Sequence, residues 1–124
     1  MLDTHALVWA LGAPRKLPPP VMRAITDPVN EVYVSAASTW ELAIKAALGR
    51  IDLDMTRTVE AAEKAGFAEL AIRIRHTARV RLLPMHHRDP FDRILIAQAA
   101  EEGLTLVTRD SGFRAYGVPV LWHE

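Results

Sequence analysis

The chain has 124 residues, 50% of them hydrophobic and 24% charged, which suits one globular domain and excludes wholesale disorder. It has no cysteine, which removes disulfide scaffolds, thiolate zinc sites and Cys nucleophiles and fits a reducing cytoplasm. The 15 basic residues balance 15 acidic ones, so a chain-wide basic field for nucleic acid is absent. No apolar run approaches the ~18 residues that cross a bilayer, and Met1-Leu2-Asp3 shows no basic leader region.

Breakers cut the chain into short elements. After Met1-Leu2, a helix begins near His5, followed by Pro14 and Pro18-Pro19-Pro20. Residues 21–27 read as a short helix stopped before Pro28. Residues 31–35 are β-branched and aromatic and read as a strand. A helix follows over about 36–48, where Trp40, Ala43, Ile44, Ala47 and Leu48 form one apolar stripe, closed by Gly49. Thr56 or Thr58 opens another helix ending at Gly66. Residues 70–74 suggest a short strand, and 76–83 a short helix before Pro84. Asp89-Pro90-Phe91-Asp92 is a strong helix start, and that helix runs to Glu102 with Gly103 as its stop. Its body, Ile94-Leu95-Ile96-Ala97, is apolar nearly all round and predicts deep burial. Residues 104–108 and 118–122 read as strands, the second at an edge because of Pro119.

Helices alternating with short apolar strands predict an α/β domain with a small, mainly parallel sheet. Ligands in such sheets bind beyond the carboxyl ends of the strands. Four acids fall there: Asp3 after Met1-Leu2, Glu41 early in the third helix, Asp92 in the first turn of the buried helix, and Asp110 after the strand at 104–108. Clustered carboxylates repel unless a cation compensates them, and hard Mg²⁺ or Mn²⁺ with oxygen ligands is the natural choice. Two such ions can flank a phosphodiester. Each acid also has a local explanation. Asp3 can cap the first helix, Ser38-x-x-Glu41 matches a capping box, Asp92 suits a helix dipole, and Asp110 can cap a turn at 111–115.

Other chemistries find no support. The chain lacks a His-x-x-x-His spacing, a Gly-x-Ser-x-Gly elbow and both common nucleotide-binding glycine loops. From Arg73 to Arg88 there are five arginines, three histidines and no acid, a cationic segment that is either a solvated face or a phosphate-binding strip.

The blocks Leu2-Asp3-Thr4-His5-Ala6-Leu7, Ser38-Thr39-Trp40-Glu41-Leu42-Ala43-Ile44-Lys45, His87-Arg88-Asp89-Pro90-Phe91-Asp92-Arg93-Ile94-Leu95-Ile96-Ala97-Gln98-Ala99 and Leu106-Val107-Thr108-Arg109-Asp110 occur in this order. Together they resemble the PIN-domain ribonucleases, specifically the VapC-type toxins of bacterial toxin–antitoxin pairs. The likeness spans nearly the whole chain, and the third block is its most specific part. It implies a three-layer α/β/α sandwich, a single such domain over residues 1–124, and Mg²⁺- or Mn²⁺-dependent RNA endonuclease activity in the cytoplasm. It also implies a VapB-type antitoxin partner and a homodimer. The catalytic and metal-binding acids carried over are Asp3, Glu41, Asp92 and Asp110. Thr4 and Thr108 match supporting hydroxyl positions, and Asp89 is a helix cap first and a supporting acid second.

One departure is that only Met1 and Leu2 precede the first acid, where the family has a longer strand, so Asp3 is expected to be loosely placed. The implied reaction is hydrolysis leaving a 3′-hydroxyl and a 5′-phosphate. Arg79, Arg81, His86, His87 and Arg88 precede the catalytic helix and are candidate RNA contacts. Trp9, Leu11 and the helix at 21–25 are either core or an antitoxin groove. A catalytically silent binding module of the same fold is the alternative, disfavoured because it has no need of four mutually repelling acids. A Mg²⁺-binding phospho-receiver would need adjacent acids after the first strand and a late lysine; Lys64 is the last one here.

Overall fold

Three residues at the start of the chain hold the sheet together. In the computed structural model, which describes residues 1–122, Leu2 forms parallel bridges to both Val34 and Val107. Leu2 N–H donates to the Tyr33 carbonyl and Asp3 N–H to the Val107 carbonyl, each at 3.0 Å. On one side lie β1 (Tyr33–Ser35) and β2 (Ala68–Leu70), paired in parallel. On the other lie β3 (Leu106–Val107) and β4 (Val120–Leu121), also parallel. The order across the sheet is β2, β1, the Leu2 segment, β3, β4, so the strand at 118–122 shortens to β4 and does take an edge.

Alternate residues of a strand face opposite sides. Leu2, Val34, Val107 and Leu121 accordingly pack on one face with Ala6 and Leu7 of α1 (Thr4–Gly12) and Val21 of α2 (Pro19–Thr26). Met1, Tyr33, Leu106 and Val120 pack on the other with Leu95, Ile96 and Ala99 of α6 (Pro90–Glu102). Helices thus cover both faces of an all-parallel sheet, as the alternation of elements predicts. Val21 is fully buried, and Trp9, Leu11, Met22 and Ile25 pack against its cluster, which is the core-packing reading of that region.

Several boundaries move for identifiable reasons. The strand expected at 70–74 lies at Ala68–Leu70, because β1 offers only three residues and its register ends at Ser35 opposite Leu70. The helix expected at 76–83 is α5 (Ile74–Val80): fully buried His76 accepts the Arg73 N–H on Nδ1 at 2.9 Å and starts the helix earlier. The helix from Thr56 or Thr58 is α4 (Met55–Lys64), opened by Asp54.

The largest correction concerns α3 (Ala36–Ala47). Its apolar stripe faces outward: Trp40 is 59% exposed and Leu48 62%. The buried positions are instead Ala37, Ser38 and Leu42. Ser38 is therefore inside the helix and caps nothing. Ser35 is the N-cap, its Oγ accepting the Ala37 N–H at 3.0 Å and donating to Gln98 of α6 at 2.5 Å. Among the described residues no helix is long and apolar enough to cross a membrane.

Candidate active site

The acids reach one sheet edge by different local routes. Asp3 leaves the Leu2 segment directly and caps α1, its Oδ1 accepting the Ala6 N–H at 2.7 Å. Backbone pairing behind it and the cap ahead hold it firmly, so the short strand does not loosen it. Thr108, buried at the end of β3, hydrogen-bonds the Asp3 carboxylate. Burial nonetheless pushes the Asp3 carboxyl up from its ordinary range, outweighing Thr108 and the Ala6 N–H.

Glu41 is freed from capping by Ser35 and turned toward Asp3. Thr4 donates its hydroxyl to Glu41 Oε1 at 2.8 Å, and Lys45 lies 2.7 Å from Oε2. Asp3, Thr4, Glu41, Lys45, Asp52 and Asp92 line one cleft of about 390 Å³.

Asp92 sits one turn into α6 behind Asp89, which caps the helix by accepting from Phe91 N–H at 2.7 Å and Asp92 N–H at 3.3 Å. Burial raises the Asp92 carboxyl to about 6, with Asp89, Glu41 and Asp110 adding repulsion and only His87 opposing. Asp110 follows β3 and caps the 3-10 turn at Ser111–Tyr116, accepting the Gly112 N–H at 2.8 Å. A β-carbon at Gly112 would lie 2.9 Å from Asp110 Oδ1 and 3.1 Å from His87 Cε1, so a larger residue there would displace the Asp110 and His87 side chains.

His87 is the member that the sequence did not assign to the acids. Its Nε2 lies 2.9 Å from Asp110 Oδ2 and its Nδ1 3.0 Å from the Tyr116 hydroxyl. A carboxylate only accepts, so Nε2 carries a proton toward Asp110 while Nδ1 faces the Tyr116 hydroxyl. Burial pushes the Asp110 carboxyl up, but His87 and the Gly112 N–H together outweigh it and hold it low. His87, Asp92 and Asp110 place ligand atoms within 4.8 Å of one another. The two carboxylates of that group, Asp92 and Asp110, fit a hard divalent cation, while both ring nitrogens of His87 are engaged by Asp110 and Tyr116. Oxygen donors converge, and Asp92 is an acid short of positive charge.

The other cationic candidates scatter. Arg79 pairs with Glu101 at 2.7 Å, His86 stacks edge-on against Tyr116, and Arg81 is exposed. Arg88 lines a separate apolar hollow with Trp40 and Phe91. Lys45 and Asp52, both on the cleft wall, were also missed. Lys45 had a signal in the sequence, since a residue four after Glu41 shares its helix face.

The PIN-domain family model matches residues 1–119. This chain belongs to the PIN-domain family. Within it, the chain is of VapC type: it is 32% identical over 122 residues to Ribonuclease VapC22 of Mycobacterium tuberculosis (strain ATCC 25618 / H37Rv), covering 96% of this chain and 92% of that one. Among solved structures it resembles VapBC2 from Rickettsia felis bound to a DNA fragment from their promoter, with a TM-score of 0.71 at 15% identity over 99% of this chain and 98% of that one. This second likeness shows the PIN fold.

Proposed function

We propose that this PIN-domain protein is a metal-dependent endoribonuclease and the toxin of a toxin–antitoxin pair, acting in the cytoplasm. It hydrolyses RNA phosphodiesters to 3′-hydroxyl and 5′-phosphate ends. The observation that carries this reading is the acid group at the carboxyl edge of the sheet, with Asp92 raised to about 6 by burial and neighbouring carboxylates. Residues serving only a structural role have no reason to bear that repulsion.

Asp3, Asp92 and Asp110, with Glu41, would hold Mg²⁺ or Mn²⁺. When bound, the ion supplies the charge that offsets these acids and the negative charge developing on phosphate, and lowers the pKa of a nucleophilic water. The chain supplies orientation. Thr108 and the Ala6 N–H fix Asp3, Thr4 and Lys45 fix Glu41, and His87 and the Gly112 N–H fix Asp110. Each carboxylate is thereby held in place before substrate arrives, which spares reorganisation during reaction.

A VapB-type antitoxin partner is part of the proposal, supported by the likeness to the Rickettsia VapBC2 complex. We assign the second copy of a homodimer to the outward stripe of Trp40, Ile44 and Leu48, apolar surface that a lone soluble chain seldom leaves open. Leu48→Glu should convert a dimer to a monomer in light scattering; an unchanged mass would remove the stripe from the interface.

The deciding experiment maps new RNA 5′ ends in a bacterial host after induction of the wild type or Asp92→Asn. Discrete 5′-phosphate ends with the wild type alone support the nuclease. Matching profiles from two folded proteins would move the silent binding module ahead.

A further inference from the structure

The cleft must admit a polyanion, yet four acids line it: Asp3, Glu41, Asp52 and Asp92. Among its described lining residues, Lys45 is the sole lysine or arginine. No residue of the cationic segment at 73–88 lines this cleft. Arg79 is held by Glu101 and Arg75 by Glu102, and Arg88 lines the other hollow.

Lys45 differs from an ordinary surface partner of an acid one turn away. The Glu41 side chain is 13% exposed and receives Thr4 on its other oxygen, whereas the Lys45 side chain is 42% exposed. The ammonium thus bridges a covered carboxylate and the open cleft. Glu41 takes one of its three donors, leaving two for whatever enters. A compact point charge on a flexible stem suits a phosphate oxygen whose position varies along a single strand.

We propose that Lys45 is a substrate-binding residue that contacts a backbone phosphate of the RNA in the cleft while holding Glu41 Oε2. This rests on the ribonuclease reading and adds a residue to it. In this role Lys45 adds a fixed positive charge on the cleft wall to that of the bound ion and of Lys16 and Arg109 over the Trp9 ring. An ion pair serving α3 alone would be indifferent to RNA.

The test measures binding of a fluorescein-labelled single-stranded RNA by the full-length Asp92→Asn protein across a salt series. The same protein carrying Lys45→Met, Lys45→Gln or Lys45→Arg is measured alongside, and thermal melting verifies folding. Each phosphate contact on a single strand contributes about 0.7 to the slope of log affinity against log salt. Lys45→Met and Lys45→Gln should flatten the slope by about that amount and weaken binding about 5-fold at moderate salt, and Lys45→Arg should restore both. In the cleaving protein, Lys45→Gln should raise KM more than it lowers kcat. Cleavage by the wild type with an unchanged slope in both neutral variants would overturn this inference alone. A wild type that cuts no RNA would overturn the ribonuclease reading, and this inference with it.

Discussion

Asp92 and Glu102 stand at opposite ends of the same helix, and their carboxyls shift in opposite directions. The helix dipole favours an acid at the amino end and disfavours one at the carboxyl end. The structure reverses both expectations. Asp92, in the first turn of α6, is raised to about 6 by burial and by Asp89, Glu41 and Asp110. Glu102, the last residue of α6, is held below its ordinary range by hydrogen bonds from His76 and Arg75. A dipole contributes a fraction of a kcal/mol up to about 1 at an exposed end, so specific neighbours decide both cases. The chain compensates the acid that fastens α5 to α6, and leaves the acid at the sheet edge with burial and repulsion that His87 does not offset.

The largest effect expected from this contrast is on Asp92→Asn. Cleavage should fall by roughly 100-fold or more, the scale lost with a group that stabilises transition-state charge. Stability should move the other way. The folded carboxyl titrates at about 6 against 3.8 for the ordinary group, so the folded state binds the proton more tightly. The ionised form therefore weakens the fold. Its penalty is absent below the ordinary value, grows as pH rises, and is complete above the folded value. Without divalent ions, Asp92→Asn should gain about 1–3 kcal/mol at pH 8 and nothing at pH 3. Added Mg²⁺ should raise the Tm of the wild type more than that of the variant. Equal melting of the two proteins at pH 8 in chelator would break the comparison at this end.

At the other end, His76→Ala removes a fully buried ring that accepts the Arg73 N–H and reaches Glu102 at 2.8 Å. A loss of about 2–3 kcal/mol is expected in denaturant unfolding, with cleavage by the folded fraction retained. A large loss of specific activity would show that this seam is not merely structural. Midway along α6, Gln98 accepts from the N-cap Ser35. Ser35→Ala should cost about 1–2 kcal/mol, and Ser38→Ala under about 1, since only the former loses a cap. A reversed order would restore the capping box at Ser38. The smallest effect concerns acid. Glu102 has a depressed carboxyl, so its contribution is present above the ordinary value of 4.5 and lost as pH falls through the lower folded value. Glu102→Gln should blunt that acid-induced fall in Tm, followed by melting from pH 5 to pH 2.5.

Asp89-Pro90 and Gly103 marked both ends of α6 because capping and left-handed stops are local chemistry; Gly103 has φ 65°. Burial of Leu95, Ile96 and Ala97 was equally readable, since their run leaves no polar face. The outward turn of α3 was not. Periodicity reports that a stripe exists and not which way it faces, and a stripe meant for another chain has the same spacing as one meant for the core. Ser38-x-x-Glu41 misled for a related reason. Ser35, at the end of β1, claimed the cap three residues earlier, and that left Glu41 free to meet Thr4. His87 read as a cation for RNA because its partners Asp110 and Tyr116 lie far along the chain.

By itself the sequence determined where α6 begins and ends, that short strands alternate with helices, and, through its ordered acidic blocks, which family the chain joins. These follow from neighbours a few residues apart, where backbone geometry limits the choices. The tertiary structure alone decided that Leu2 joins the two halves of the sheet, that α3 keeps an apolar face outside, and that one acid of α6 is strained while the other is satisfied. Each of those outcomes depends on groups from distant segments, brought together by strand register and burial.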